Sequence, residues 1–200
     1  MFAYVRGKLV SKSIACVVVD VNGIGYKVFM SLKAMEELGE VNTEVKVHTH
    51  YYVREDNISL YGFVTVEELR MFELLLSVSG IGAKSAIAML SEITPSSFAL
   101  AIITNDISKL VKIPGIGNKT AARIVLELKD KLKAEDSIAE SKDEKVVSAI
   151  AEDNKTSEAI AALQILGYAK KEIEKALDKI EIESLTLEDI IRKGLGVLSS

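Results

Sequence analysis

Two stretches of the chain carry the residue types that grip phosphate. Ser77–Leu90 reads SVSGIGAKSAIAML, and Lys112–Val125 reads KIPGIGNKTAARIV. Shifted by 35 positions, Val78 falls on Ile113, Gly80 on Gly115, Ile81 on Ile116, Gly82 on Gly117, Lys84 on Lys119, Ser85 on Thr120 and Ala86 on Ala121. Glycine permits a tight turn and lets another molecule's backbone come close. A helix that starts directly after it presents N–H groups with no partner inside the helix, and its dipole favours negative charge there. With Lys84 or Lys119 beside those donors, each stretch suits a phosphate oxygen. A plain corner between two helices would also use Gly-Ile-Gly. Two copies with the same lysine, each followed by a hydroxyl residue, are more than a corner requires. A nucleotide-binding loop does not fit, because its lysine directly follows glycine and its loop follows a strand. Here Ala83 or Asn118 intervenes, and each stretch follows a helical pattern. Lys112 and Arg123 add cationic reach to the second copy; the position matching Arg123 in the first is Ala88. Two such clamps in one domain suit the two backbones of a duplex across its minor groove. Contacts of that kind position without reading sequence, and they weaken as salt rises.

The charge balance locates that partner. The chain has 200 residues and a net charge of −4, but the sign is uneven. Residues 1–64 hold 7 Lys+Arg and 7 Asp+Glu, residues 65–133 hold 9 and 7, and residues 134–200 hold 9 and 15. An anionic partner should therefore meet the first two segments. With 48% hydrophobic and 27% charged residues the composition is that of an ordinary globular chain. No apolar run approaches the roughly 18 residues that a membrane-spanning helix needs, and MFAYVRGKLV lacks a secretory leader's pattern. The expected compartment is the cytoplasm, with no membrane partner. Cys16 is the only cysteine, so no intrachain disulfide can form, and a buried, small apolar role is expected for it.

The elements around these stretches divide into segments. Residues 1–64 alternate as strands do: FAYVRGKLV, two β-branched runs around Asn22-Gly23, then TEVKVHTHYYV and ISLYGF separated by REDN. That makes five strands, with LKAMEELGE as a short helix between the third and fourth. The pattern fits a small barrel of the oligonucleotide-binding (OB) type, whose closure removes strand edges. A plain barrel without ligand-binding duty fits equally well. From Thr65 the period becomes helical, and VEELRMFELLLSV places Leu69, Phe72, Leu75 and Leu76 on one face. SEITPSSFALAIITNDISKLV, between the glycine stretches, is helical after the break at Pro95. Residues 134–155 mix charges without an aromatic and read as a mobile linker, in which EKVVSAIA has transient helical character. Residues 156–200 read as about three short helices punctuated by Gly167 and IEIESLT, with a thin core. The expected fold class is thus α+β and multidomain: barrel 1–64, tandem helix-hairpin-helix 65–133, linker 134–155 and a small three-helix unit 156–200.

Paired helix-hairpin-helix motifs behind a five-stranded barrel, together with HTHYYVREDNISLYGF and LGYAKKEIEKAL, resemble the RuvA family of bacterial Holliday junction branch-migration subunits. The resemblance covers essentially the whole chain. It departs at Asn118, where members often carry lysine, and at Ala83, where proline is common. It implies a DNA-binding subunit that holds a four-way junction open and square through Gly80, Gly82, Lys84, Ser85, Gly115, Gly117, Lys119, Thr120 and Arg123. It also implies that Glu55 and Asp56 form an acidic pin at the junction centre, with Arg54 beside them on a phosphate. Taken alone, the pair would read as polar turn chemistry. The three-helix unit, a UBA-like one, would recruit the hexameric ATPase RuvB. Leu163, Leu166 and Tyr168 are candidates for that contact, although such spacing serves a core as well. The RuvC resolvase is a further implied partner, and the implied assembly is a homotetramer or an octamer. No catalytic set and no cofactor are expected. His48 and His50 share a strand face, but with no other histidine in the chain they do not complete a metal site. The rival readings are a helix-hairpin-helix glycosylase, which would need a base-flipping pocket in a larger helical fold, and a nonspecific duplex-binding module or a nuclease accessory subunit.

Overall fold

A computed structural model describes residues 1–55, 57–139 and 152–199. Its contacts divide the chain into two compact units, Met1–Leu76 with Gly82–Glu92, and Ser77–Ile81 with Ile93–Ser200.

The first unit is built on five strands: β1 (Tyr4–Lys12), β2 (Cys16–Val21), β3 (Ile24–Phe29), β4 (Glu44–Val53) and β5 (Ile58–Phe63). They close in the order β1-β2-β3-β5-β4, every neighbour antiparallel except β3 with β5. Closure leaves no free edge, and the alternation read in the sequence lines the interior with Leu9, Val17, Val19, Val28 and Val47, all fully buried. The β2–β3 turn forms as expected at Asn22 (φ 54°) and Gly23 (φ 87°), and the Gly23 N–H donates to Asp20 Oδ1 at 3.0 Å. Helix α1 (Leu32–Glu37) lies between β3 and β4, capped by the Ser31 hydroxyl, which accepts from the Ala34 N–H. Cys16 is half-buried, not buried as expected. It opens β2 at the end of the sheet, where the Ser13 hydroxyl lies 3.0 Å from its sulfur.

Helix α2 (Val66–Leu76) is fastened to the barrel by aromatic packing. Phe72 meets Phe63, Tyr61 and His50 at ring-centroid distances of 4.9, 5.2 and 5.3 Å. Of the expected apolar face, Phe72 and Leu75 are fully buried, while Leu69 and Leu76 are half-buried. The helix begins with a reciprocal cap. Glu68 Oε2 accepts from the N–H groups of Val64 (3.0 Å) and Thr65 (3.4 Å), and Thr65 Oγ1 accepts from the Glu68 N–H at 3.2 Å. Helix α3 (Ala83–Glu92) packs on α2.

The second unit holds α4 (Pro95–Ile103), α5 (Ile107–Val111), α6 (Asn118–Ala139), α7 (Glu152–Ile165), α8 (Lys170–Leu177) and α9 (Leu187–Leu198). Thr94 caps α4 and Pro95 occupies its first turn, as the sequence break implied. Helix α4 is apolar nearly all round, and Phe98, Ala99, Ala101 and Ile102 are fully buried between α5 and α6 on one side and α7 and α9 on the other. At its start the Ser97 hydroxyl donates to Glu188 Oε1 at 2.5 Å. The stretch expected as a linker, 134–155, is helical at both edges, to Ala139 in α6 and from Glu152 in α7; its middle, with EKVVSAIA, lies outside the described residues. Among the described residues no single helix is long and apolar enough to cross a membrane.

Two stability outcomes follow. A Cβ on Gly7 would lie 2.1 Å from the backbone oxygen of Asp20. Gly7→Ala must displace a strand, and urea denaturation should show a loss of about 3 kcal/mol. Burial raises the Glu68 carboxyl above its ordinary value, against the pull of the Thr65 and Val64 N–H groups. The raised value adds a contribution to stability that is fully present below 4.5 and is lost as pH climbs past that through the raised value. Glu68→Gln keeps the cap without the charge. It should match or exceed the native chain in neutral-pH denaturation, and its advantage should vanish in acid.

Candidate nucleic-acid interface

The two glycine stretches fold into the same corner. In the first, the Ile81 N–H donates to the Val78 carbonyl at 3.1 Å, Gly80 sits at φ 86°, and the Gly82 carbonyl accepts the first bond of α3 from Ala86 at 3.0 Å. In the second, Ile116 donates to Ile113 at 3.0 Å, Gly115 sits at φ 84°, and Gly117 accepts the first bond of α6 from Ala121 at 2.9 Å. The left-handed φ explains glycine at 80 and 115. Ile81 and Ile116, 7% and 6% exposed, anchor each turn inward.

Gly82 and Gly117 pose a different question. Neither has a left-handed φ, and a Cβ built on either would meet nothing within 4 Å. Among the described residues nothing requires glycine there. Both are exposed and sit at a helix start, where the first N–H groups have no partner within the helix. Among the described residues no hydrogen bond takes up the N–H of Gly82, Lys84 or Ser85 in one corner, or of Gly117, Lys119 or Thr120 in the other. Lys84, Ser85, Lys119 and Asn118 are exposed, and Thr120 is half-buried. Each corner thus offers open main-chain donors, a cation, and space beside a residue with no side chain. Such an arrangement suits an anion whose own backbone comes close.

Arg123, expected to reach outward, is engaged at home. Its Nη1 donates to the Ser79 carbonyl at 3.3 Å, and its Nε lies 3.9 Å from Glu127 Oε1. Lys112 is exposed and caps the end of α5. Ser79 and Glu127 went unnoticed in the sequence. The one available signal was the break in the repeat at Ser79, which faces Pro114 in the alignment.

Between β4 and β5, Arg54 and Asn57 exchange backbone bonds at 2.8 and 3.4 Å. Glu55, between them, is exposed, and Asp56 lies outside the described residues. Arg54 folds back on its own strand, where Nε donates to the Tyr52 hydroxyl at 2.8 Å and the guanidinium lies 5.0 Å over the Tyr52 ring. Glu55 therefore has no ion-pair partner among the described residues. On β4, His50 Nδ1 is 3.0 Å from Glu73 Oε1. Burial, with Lys46 nearby, lowers the pKa of His48 and keeps it neutral, while Glu67 acts in the opposite sense. Leu163 and Leu166 are fully buried and Tyr168 is 7% exposed, so these three lie within their unit. Leu163 packs against the place a side chain on Gly194 would take.

Three family models match this arrangement in order: the RuvA N-terminal domain over residues 1–62, a SAM-like helix-hairpin-helix tandem over 72–130, and the RuvA C-terminal domain over 154–199. The chain belongs to the RuvA family. A RuvA of Acetivibrio thermocellus, named a Holliday junction branch migration complex subunit, is 48% identical over 100% of this chain and 99% of its own. RuvA proteins of Ruminiclostridium cellulolyticum and Clostridium perfringens, under the same name, are 44% and 42% identical, each over 99% of this chain and 100% and 99% of their own. The expected fold class stands: an OB-type barrel, a tandem of helix-hairpin-helix motifs and a C-terminal helical domain of the RuvA kind.

The two kinds of glycine should separate in thermal unfolding. Gly80→Ala and Gly115→Ala force a left-handed backbone on alanine and should cost about 1–2 kcal/mol. Gly82→Ala and Gly117→Ala should stay within about 1 kcal/mol of the native chain, since the weaker cap and the stiffer unfolded chain offset each other.

Proposed function

We propose that this chain binds four-way DNA junctions, holds them open and square, and recruits an ATPase motor for branch migration in recombination and repair. The observation that carries the reading is the glycine at 82 and at 117 that no internal contact or φ demands, each beside open helix-start amides and a lysine. The amides and Gly80, Gly82, Lys84, Ser85, Gly115, Gly117, Lys119 and Thr120 hold sugar-phosphate backbone, and Arg123 supports them. Glu55 and Asp56 form the acidic pin. Carboxylates close to crossing phosphates repel them by roughly 1 kcal/mol per near pair even in water, which keeps the exchanging strands apart. Arg54, next in the chain to the pin, donates to the Tyr52 hydroxyl.

The remaining assignments complete the scheme. Residues 1–64 are the barrel with its pin, 65–133 the DNA-binding tandem, 134–155 a tether, and 156–200 the motor-binding helices, with Leu163, Leu166 and Tyr168 shaping their apolar interior. The chain performs no catalysis of its own, and the ATPase RuvB supplies the force. It works in the cytoplasm as a homotetramer or octamer and hands junctions on to the RuvC resolvase. The names of its relatives, which call them subunits of a branch migration complex, support the partnership.

A gel-shift comparison of a four-way junction with linear duplex of equal length tests the reading. The junction should bind more tightly, with affinity falling steeply as salt rises; equal affinity would favour a nonspecific duplex binder. Gly82→Ala and Gly117→Ala, both expected to fold, should each weaken junction binding about tenfold, the loss of one charge-assisted contact. Neutralising the pin as Glu55→Gln with Asp56→Asn should preserve or strengthen binding while altering motor-driven migration. A large loss of binding in that variant would contradict a repulsive role.

A further inference from the structure

The two corners differ where one has Ser79 and the other Pro114. Proline carries no N–H and fixes its own φ near −65°, so the second turn is set by its own residue. Ser79 has an N–H to satisfy and a freer backbone. Helix α6 takes both polar ends of it. The Ser79 N–H donates to Glu127 Oε2 at 3.0 Å, and the Ser79 carbonyl accepts from Arg123 Nη1 at 3.3 Å. The two side chains, one turn apart on α6, face each other with Nε 3.9 Å from Oε1. A turn further along, the Lys131 ammonium donates to the Ser77 hydroxyl. Arg123 Nη1 also lies 3.6 Å from where a Cβ on Gly80 would stand.

We infer that Glu127 and Arg123 are positioning residues that brace the Ser79 peptide and so aim the Gly80–Gly82 turn at DNA. Glu127, an acid, thereby strengthens the binding of a polyanion. This rests on the reading of the glycine corners as phosphate seats. The sign is what makes it testable. Coulomb's law alone predicts tighter binding once a carboxylate near the seat is removed. A mere i,i+4 partner for Arg123 would stabilise the helix slightly and leave DNA affinity unmoved. A brace predicts weaker binding, because a turn that must be ordered on contact binds less well than one already ordered.

The test uses the full chain and a four-way junction. Glu127→Ala should weaken binding about tenfold and reduce the slope of log affinity against log salt by about one. Glu127→Gln, whose amide oxygen still accepts from Ser79, should stay within about threefold of the native chain. The double variant Ser79→Pro with Glu127→Ala gives the first turn the second's own solution and should recover most of the lost affinity. Native or tighter binding by Glu127→Ala would overturn the brace. So would a loss in Glu127→Gln as large as in Glu127→Ala, or a double variant no better than Glu127→Ala. Lys84→Ala and Lys119→Ala, run alongside, report on the seats themselves. If neither weakens binding, the phosphate-seat reading fails, an outcome distinct from failure of the brace alone.

Discussion

The main chain can hold a phosphate only where its N–H groups are unused, exposed and fixed in direction, and those conditions rarely coincide. Strands use their N–H groups in the ladder, and helices use all but the first few. A helix start after a tight glycine turn meets all three conditions. Its donors carry no rotamer entropy, unlike the long lysine side chains beside them. The cost is borne by the turn, which needs one residue at left-handed φ and another with no side chain in the way. Gly80 and Gly115 meet the first demand, Gly82 and Gly117 the second. Ile81 and Ile116, both buried, anchor those turns.

What could be read in the sequence was whatever local geometry repeats. Alternation over β1–β5, the Asn22-Gly23 turn, Pro95 at a helix start and the 35-residue repeat each follow from a constraint acting within a few neighbours. The brace on Ser79 joins residues 44 and 48 positions apart, and such pairings leave no periodic trace. Arg54 shows the same limit at short range. The family resemblance implies a phosphate contact for it, but an aromatic ring two residues back offers both a hydroxyl and a π-face, and the guanidinium lies there. Leu163 and Leu166 illustrate a third case. Helical spacing of apolar residues is the same for a core and for a docking face, and only three-dimensional packing shows them fully buried. Cys16 is half-buried because a strand's first residue shares the composition of its interior without sharing its cover.

Net charge is a poor guide to such a protein, because each carboxylate acts through what it touches. The chain is acidic overall, yet its basic excess lies in the segment with the glycine corners. Glu55 stands exposed at a turn tip, and its neighbouring arginine is drawn onto Tyr52. Glu127 spends its charge inward, on one peptide N–H and on a guanidinium. A carboxylate oxygen already accepting a hydrogen bond and facing a cation projects less field toward a third group. On the proposed function, the same residue type repels DNA from a hairpin tip and, from a helix, sets the donors that hold it. Which of the two it does is decided by the direction of its nearest partner.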